Sequence, residues 1–240
     1  MPEYEQIFSR TALLIGDAGL QRLAAARVLV AGVGGVGSYA VEALARAGVG
    51  SLTLVDSDTV HPSNINRQLH ALTTTVGQPK VEVMAERLLQ INPGLQVTPL
   101  QELITPDNVP VLLVPGYDLV LDAIDTLAAK LALLQNCVER RIPVISSMGA
   151  AGKLDPTRIK ISDIAESQGC RLARKLRKEL RRGGISSGVT VIYSDEPCSL
   201  ERVGEPEAEG ERRPLGTISY LPATFGLFMA SEAIKRFLQC

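Results

Sequence analysis

Between residues 32 and 125 the sequence places glycines, carboxylates, carboxamides and two cations at spacings that suit nucleotide phosphates. Gly32, Gly34 and Gly37 stand in G-x-G-x-x-G spacing, with Gly35 inside the motif. Such a turn lets backbone N–H groups approach a phosphate, and a helix N-terminus behind it favours the negative charge. Asp56 follows at about the distance where a ribose hydroxyl is met. The turn and the acid alone do not say which nucleotide binds, and NAD is the default. The residues after the acid narrow the choice. Asp58, Asn64, Asn66, Arg67, Gln68 and then Lys80 form a dense polar run. A dehydrogenase has no need of it. Two cations, Arg67 and Lys80, on one ligand edge suit a triphosphate better than a diphosphate bridge, because more phosphate charge must be neutralised. Asp125 suits Mg²⁺, which takes one or two carboxylates plus phosphate oxygens and water. Each residue also has a purely structural use. Asp58 and Asn64 are turn formers, Lys80 flanks a helix start, and Asp122 and Asp125 are placed to cap the next helix.

These residues need elements to hold them. Val28–Val30 reads as a buried strand, Ser38–Ala47 as a helix stopped by Gly48, and Leu52–Val55 as a second strand. Ser57–Val76 is a polar loop. Pro79 opens a helix with Val81, Met84, Leu88 and Ile91 at helical spacing, ended by Asn92-Pro93-Gly94. Leu95–Leu100 reads as a third strand, Thr105–Asn108 as the cap of a short helix, and Leu119–Leu121 as a fourth strand. A helix over roughly Leu127–Arg140 and a fifth strand, Val144–Ser147, follow. The alternation predicts an α/β fold with a doubly wound, mostly parallel Rossmann-like sheet. Its ligand edge is the carboxyl end of the strands, where Asp56, the 57–76 loop and Asp125 fall.

Residues 4–27 read as one or two short amphipathic helices carrying Arg10. After Gly149–Gly152 the pattern changes to a C-terminal extension of strands and helix. Arg158–Ile161, Val189–Tyr193 and Thr217–Leu221 read as strands and Phe225–Leu238 as a final buried helix. Between them Arg171–Arg182 reads RLARKLRKELRR, with Leu172, Leu176 and Leu180 as an apolar stripe and seven cations on the other faces. Asp195–Glu211 is acidic with Pro and Gly and reads as a mobile loop, extending to about residue 213. The expected organisation is one unit: helices over 1–27, a nucleotide-binding core over 28–150, and an extension over 151–240.

The chain of 240 residues carries 25 Lys and Arg against 26 Asp and Glu, a formal charge of −1. Overall charge therefore selects no partner; only a local patch can. MPEYEQIFSR is neither a signal nor a transit peptide, and no apolar run reaches membrane-spanning length, which predicts a cytoplasmic protein. Cys137, Cys170, Cys198 and Cys240 form no C-x-x-C pair, which argues against a zinc ribbon and for reduced thiols. His61 and His70 read as loop or packing residues.

GVGGVG, the acid of LTLVDSD, SNINRQ, GQPK and LVLDAID together resemble the ATP-binding set of the ThiF/MoeB/HesA superfamily, adenylating enzymes related to ubiquitin-activating enzyme. FSRTALLIG, NINRQLHAL, GQPKVEVMAERLLQINP and ISYLPATFG are similar to the branch that dehydrates threonylcarbamoyladenosine in tRNA. The resemblance implies an enzyme using ATP and Mg²⁺. Gly32, Gly34, Gly35 and Gly37 would hold phosphates and Asp56 the ribose. Asn64, Asn66, Arg67, Gln68 and Lys80 would surround the triphosphate, with Asp58 beside them, and Asp125 would hold the metal. An arginine matching Arg10 reaches the ATP of the partner subunit in this superfamily, which implies a homodimer. A carboxylate would attack the α-phosphate, giving an acyl-adenylate and pyrophosphate. Ring closure with loss of AMP then amounts to dehydration. Arg171, Arg174, Lys175, Arg177 and Lys178 would contact tRNA phosphates.

Superfamily members that activate sulfur carriers usually have paired C-x-x-C zinc sites, which this chain lacks. Some dehydratases carry a cysteine before the final Ala-Thr-Phe-Gly helix. PLGTISYLPATFG has none, leaving Cys198, which reads as a free surface thiol. Three alternatives stay open: adenylation of a carrier protein's C-terminal carboxylate with sulfur transfer, a nucleotide-binding scaffold without turnover, and an NAD oxidoreductase. A sulfurtransferase or carrier protein is the further partner class to test.

Overall fold

The computed structural model describes residues 4–197 and 216–239. The first half holds α1 (Tyr4–Ile7), α2 (Ser9–Ala25), β1 (Arg27–Ala31), α3 (Gly37–Ala47), β2 (Ser51–Val55), α4 (Lys80–Ile91), β3 (Gln96–Leu100) and α5 (Val109–Leu112). Then follow β4 (Leu119–Asp122), α6 (Leu127–Glu139), β5 (Val144–Ser147), β6 (Ile159–Asp163), α7 (Arg171–Arg182), β7 (Thr190–Ser194) and α8 (Tyr220–Leu238). The sheet order is β3-β2-β1-β4-β5-β7-β6. All pairings are parallel except β6 with β7. This is a Rossmann-like α/β fold, with the right-hand edge closed by one antiparallel strand.

Alternation along β1 shows how the sheet is buried on both faces. Val28 and Val30 enter one core with Leu44, Leu52, Met84 and Phe225. Leu29 and Ala31 enter the other with Val120, Leu133, Leu176 and Val191. Successive side chains point to opposite faces, so a parallel strand covered twice must be apolar throughout. Helices α2, α3, α4 and α8 cover the first face and α5, α6 and α7 the second. α8 crosses α3 closely at Gly226, where a Cβ would stand 2.3 Å from the Val36 carbonyl oxygen.

The C-terminal extension differs from the sequence reading in three places. Residues 217–219 form no strand, and α8 begins at Tyr220 rather than Phe225. Pro222 sits in its first turn, where a missing N–H costs nothing. The preceding residues bind elsewhere: Gly216 O accepts Gly152 N–H at 2.8 Å, and Thr217 O accepts Asn66 Nδ2–H at 3.1 Å. The strand expected at 158–161 is β6, shifted to 159–163, because Pro156–Arg158 makes a 3₁₀ turn capped by Asp155. On α7 the buried stripe is Ala173, Leu176 and Leu180, while Leu172 is only half-buried. Residues four apart precess by about 40° on a helix of 3.6 residues per turn, enough to bring Leu172 to the rim of the core, where it packs while staying part-exposed. Asp195, Glu196 and Pro197 are the described part of the expected acidic loop; its residues 198–211, with Cys198, lie outside the described residues.

Candidate active site

A cavity of about 730 Å³ opens at the carboxyl ends of the parallel strands, where the strand order reverses between β1 and β4. Its size and place are those of a nucleotide site in a doubly wound sheet. The exits of five strands line it: Gly32, Gly34 and Gly35 after β1, Asp56 and Asp58 after β2, Glu102–Ile104 after β3, Ala123–Thr126 after β4, and Ser147–Ala151 after β5. Leu172, Thr217 and Pro222 close it from the extension.

The glycines of the turn have different reasons. Gly32 has φ 89°, and a Cβ there would stand 2.8 Å from the Ala123 carbonyl oxygen. A Cβ on Gly37 would lie 1.9 Å from the Gly32 carbonyl oxygen, so α3 packs against the loop only without a side chain. Gly34 has no such neighbour: its Cβ would come no closer than 3.8 Å, to Gln68 Nε2. Gly32 shapes the turn, Gly37 seats the helix behind it, and Gly34 lets the backbone face the cavity. Gly37 is not itself a lining residue.

Asp56 clasps this turn to β2. Its Oδ2 accepts Val33 N–H at 2.7 Å and its Oδ1 accepts Asp58 N–H at 2.9 Å. Burial pushes its carboxyl above the usual range, against the two amide donors and the nearby Lys80 ammonium. Lys80 is buried to 4% exposure, and its Nζ donates to Asp58 Oδ2 at 2.7 Å. A bridge between Thr59 and Pro79 folds the polar loop back to bring these two together. Asn64 ends a 3₁₀ turn over Pro62–Asn64, capped by His61. Its carbonyl oxygen accepts Arg67 N–H and Gln68 N–H, which sets both side chains on the cavity wall. Arg67 donates from Nη1 to Ser63 O at 2.8 Å and Asn66 Oδ1 at 2.9 Å. Gln68 Oε1 is buried in the cavity wall with no hydrogen-bond donor among the described residues. Asp125 is exposed, and among the described residues its carboxylate meets only the Thr126 hydroxyl, at 3.4 Å.

Gly32, Gly34, Gly35, Asp56, Asp58, Asn64, Arg67, Gln68, Lys80 and Asp125 thus line one cavity. Asn66 stands behind it, joining Arg67 to Thr217. Arg10 is exposed on α2 and does not line the cavity of its own chain. Neither Asp122 nor Asp125 caps α6, whose N-cap, Thr126, makes no side-chain cap bond. Asp122 is instead fully buried in an ion pair with Lys130 at 2.6 Å. The signal for Lys130 was a lone cation in the apolar run LAAKLALL, which calls for a buried anion.

The basic helix presents Arg171, Arg174, Lys175, Lys178 and Arg181 to solvent, and none of them enters a salt bridge among the described residues. Arg177 differs from its neighbours. Its Nη1 donates to Ile164 O at 3.0 Å, Ser167 O at 2.7 Å and Ser167 Oγ at 2.8 Å. It pins the helix to the turn after β6 rather than projecting outward.

His70 is 2% exposed, and neither ring nitrogen has a partner among the described residues. Burial, then the Lys80 charge, pushes its pKa down to about 4. The unfolded chain takes up this proton near pH 6.5 and the folded chain only near pH 4, so stability should fall with pH across that window. The full loss is about 3 kcal/mol. Urea unfolding of the native protein and His70→Leu at pH 7 and pH 4.5 checks this. The variant should lose less stability than the native chain; equal losses would refute it.

The profile of the ThiF family matches residues 8–240, almost the whole chain. The chain belongs to the ThiF family. This ThiF-family protein is 45% identical to the tRNA threonylcarbamoyladenosine dehydratase of Bacillus subtilis, over 97% of this chain and 94% of the relative. It matches the crystal structure of the Escherichia coli tRNA N6-threonylcarbamoyladenosine dehydratase in complex with ATP with a TM-score of 0.88. That match has 40% identity and covers 98% of this chain and 95% of the other. Similarity to the molybdopterin-synthase adenylyltransferase of Salmonella typhimurium is 43% identity, over 57% of this chain and 54% of the relative. Among the described residues, no helix is long and apolar enough to cross a membrane.

Proposed function

We propose that this ThiF-family protein uses ATP to adenylate the carboxylate of threonylcarbamoyladenosine in tRNA and then closes the ring with net loss of water. The carrying observation is the extent of similarity. Dehydratases align over nearly the whole chain, whereas the carrier adenylyltransferase leaves more than a third of it without a counterpart. The residues fit ATP with Mg²⁺. Gly34 leaves room for phosphate against the backbone, Gln68 Oε1 awaits a donor, and Asp125 offers an almost unengaged carboxylate. When bound, Mg²⁺ would neutralise phosphate charge from Asp125. Arg67 and Lys80 stabilise negative charge developing on the phosphoryl oxygens as the acyl carboxylate attacks the α-phosphate. Asp56 orients the ribose, with Asp58 holding Lys80 in place. Asn64 and Gln68 complete the wall and Asn66 steadies Arg67. Residues 28–150 supply the nucleotide half and 151–240 the substrate half of one cytoplasmic unit. Pyrophosphate release with ATP and threonylcarbamoyladenosine-bearing tRNA tests the reading. Release with a carrier protein and none with tRNA would replace it by carrier activation, and tight NAD binding without an ATP signal would overturn both.

The tRNA surface in this reading is the outer face of α7, with Arg171, Arg174, Lys175 and Lys178 on phosphates and Arg177 anchoring the helix. Leu172 links that face to the cavity. The triple variant Arg174→Glu, Lys175→Glu and Lys178→Glu should weaken tRNA binding and flatten its salt dependence. The log–log slope should shrink by about 0.7–0.9 per lost contact, with ATP binding unchanged. A folded triple variant with native tRNA affinity and slope would move the surface elsewhere.

Arg10 in this reading reaches the ATP of a second subunit. Leu13 and Leu14, at 81% and 85% exposure on the same helix, are suited to the dimer contact. Subunits carrying Arg10→Ala mixed with subunits carrying Arg67→Ala should regain part of the activity, because one site per mixed dimer has both arginines. No recovery in a mixture shown to exchange subunits would rule out a shared site.

A further inference from the structure

The ion pair between Asp122 and Lys130 lies at 0% exposure on both sides, at the cavity end of β4 and one turn into α6. Asp122 Oδ2 accepts from Lys130 Nζ at 2.6 Å and from Ser146 Oγ at 2.5 Å, while its Oδ1 accepts Ile124 N–H at 3.1 Å. Lys130 Nζ donates onward to Ser147 O at 2.9 Å. These bonds tie together the exits of β4 and β5, the two segments that place Asp125 and residues 147–151 on the cavity wall. Two apolar side chains of similar volume would hold this core at least as well, since a buried pair seldom repays its desolvation. What apolar residues cannot do is fix the Ile124 amide and the Ser147 carbonyl in one geometry.

We propose that Asp122, Lys130 and Ser146 are positioning residues that set Asp125 and the β5 exit against the nucleotide phosphates. The proposal rests on the adenylation reading above. Outer-shell partners of a metal-holding carboxylate control its affinity in this way, typically by about 10–100-fold.

The test titrates Mn²⁺ onto the protein–ATP complex, read by electron paramagnetic resonance without turnover. Lys130→Met alone leaves a buried anion and is expected to unfold readily. The double variant Asp122→Asn with Lys130→Met keeps volume and removes both charges. It should melt near the native temperature yet bind Mn²⁺ about tenfold more weakly. Ser146→Ala keeps the ion pair and loses the Ser146 Oγ bonds to Asp122 and Lys130, and should fold and show a smaller loss of the same kind. If the double variant does not fold, Ser146→Ala decides alone. Native Mn²⁺ affinity in a folded variant overturns the positioning role. Failure of the native protein itself to bind Mn²⁺ with ATP overturns the adenylation reading on which the role rests.

Discussion

Arg67→Ala should slow acyl-adenylate formation by about 10²–10³-fold, the scale for one donor aimed at developing transition-state charge. The fold should survive, because among the described residues the guanidinium hydrogen-bonds only Ser63 O and Asn66 Oδ1, both on its own loop. Nε and Nη2 make no hydrogen bond among the described residues, so they are the groups with capacity for phosphate. Arg67→Lys should recover only part of the rate: it restores the charge without the planar fork. Single-turnover formation of pyrophosphate from saturating ATP and modified tRNA is the measurement. A near-native rate in Arg67→Ala would falsify its assignment and leave the phosphate charge to Lys80 and the Arg10 of a second subunit.

Gly37→Ala should damage both the fold and ATP binding, whereas Gly34→Ala should damage only binding. At Gly37 the new methyl carbon meets the Gly32 carbonyl oxygen at 1.9 Å, so α3 or the loop must move. Overpacking of that kind costs about 1–3 kcal/mol. The amide groups that face the phosphates move with it, and ATP affinity should fall about 10–100-fold. At Gly34 the methyl enters open cavity and strains nothing in the chain, so only the ligand's room is lost. Thermal melts with and without ATP separate the two. Equal melting temperatures for both variants without ATP would refute the division of labour between these glycines.

The core of the fold was legible because its signals are local. β1, α3, β2 and the acid at 56 follow from apolar runs and glycine spacing, and Gly48 stops α3 in a left-handed cap as the sequence indicates. The extension was less legible because its partners are remote. Thr217 and Ile218 have strand-like side chains, yet sheet pairing is settled by available neighbours, and this segment instead binds Asn66 and Gly152. Within the site, residues of polar type were readable one by one. The apolar and backbone wall from Met148 to Ala151, with Leu172 and Pro222, was not, since those types carry no chemical signature. Lys130 was readable in principle, but only its partner's position across the β4–α6 turn explains it.

Leu172 stands on the cavity wall while its helical neighbours Arg171 and Arg174 face solvent. In the proposed reading α7 therefore spans two ligands as one rigid body, fixed to the core by Leu176 and Leu180. Any shift of the helix favoured by a polyanion outside alters the space left for a nucleotide inside. The two occupancies then share a coupling free energy, and reciprocity requires the same factor in both directions. In the proposed reading, tRNA that tightens ATP binding is itself held tighter by ATP, and cleavage of ATP to pyrophosphate and AMP becomes a signal for release.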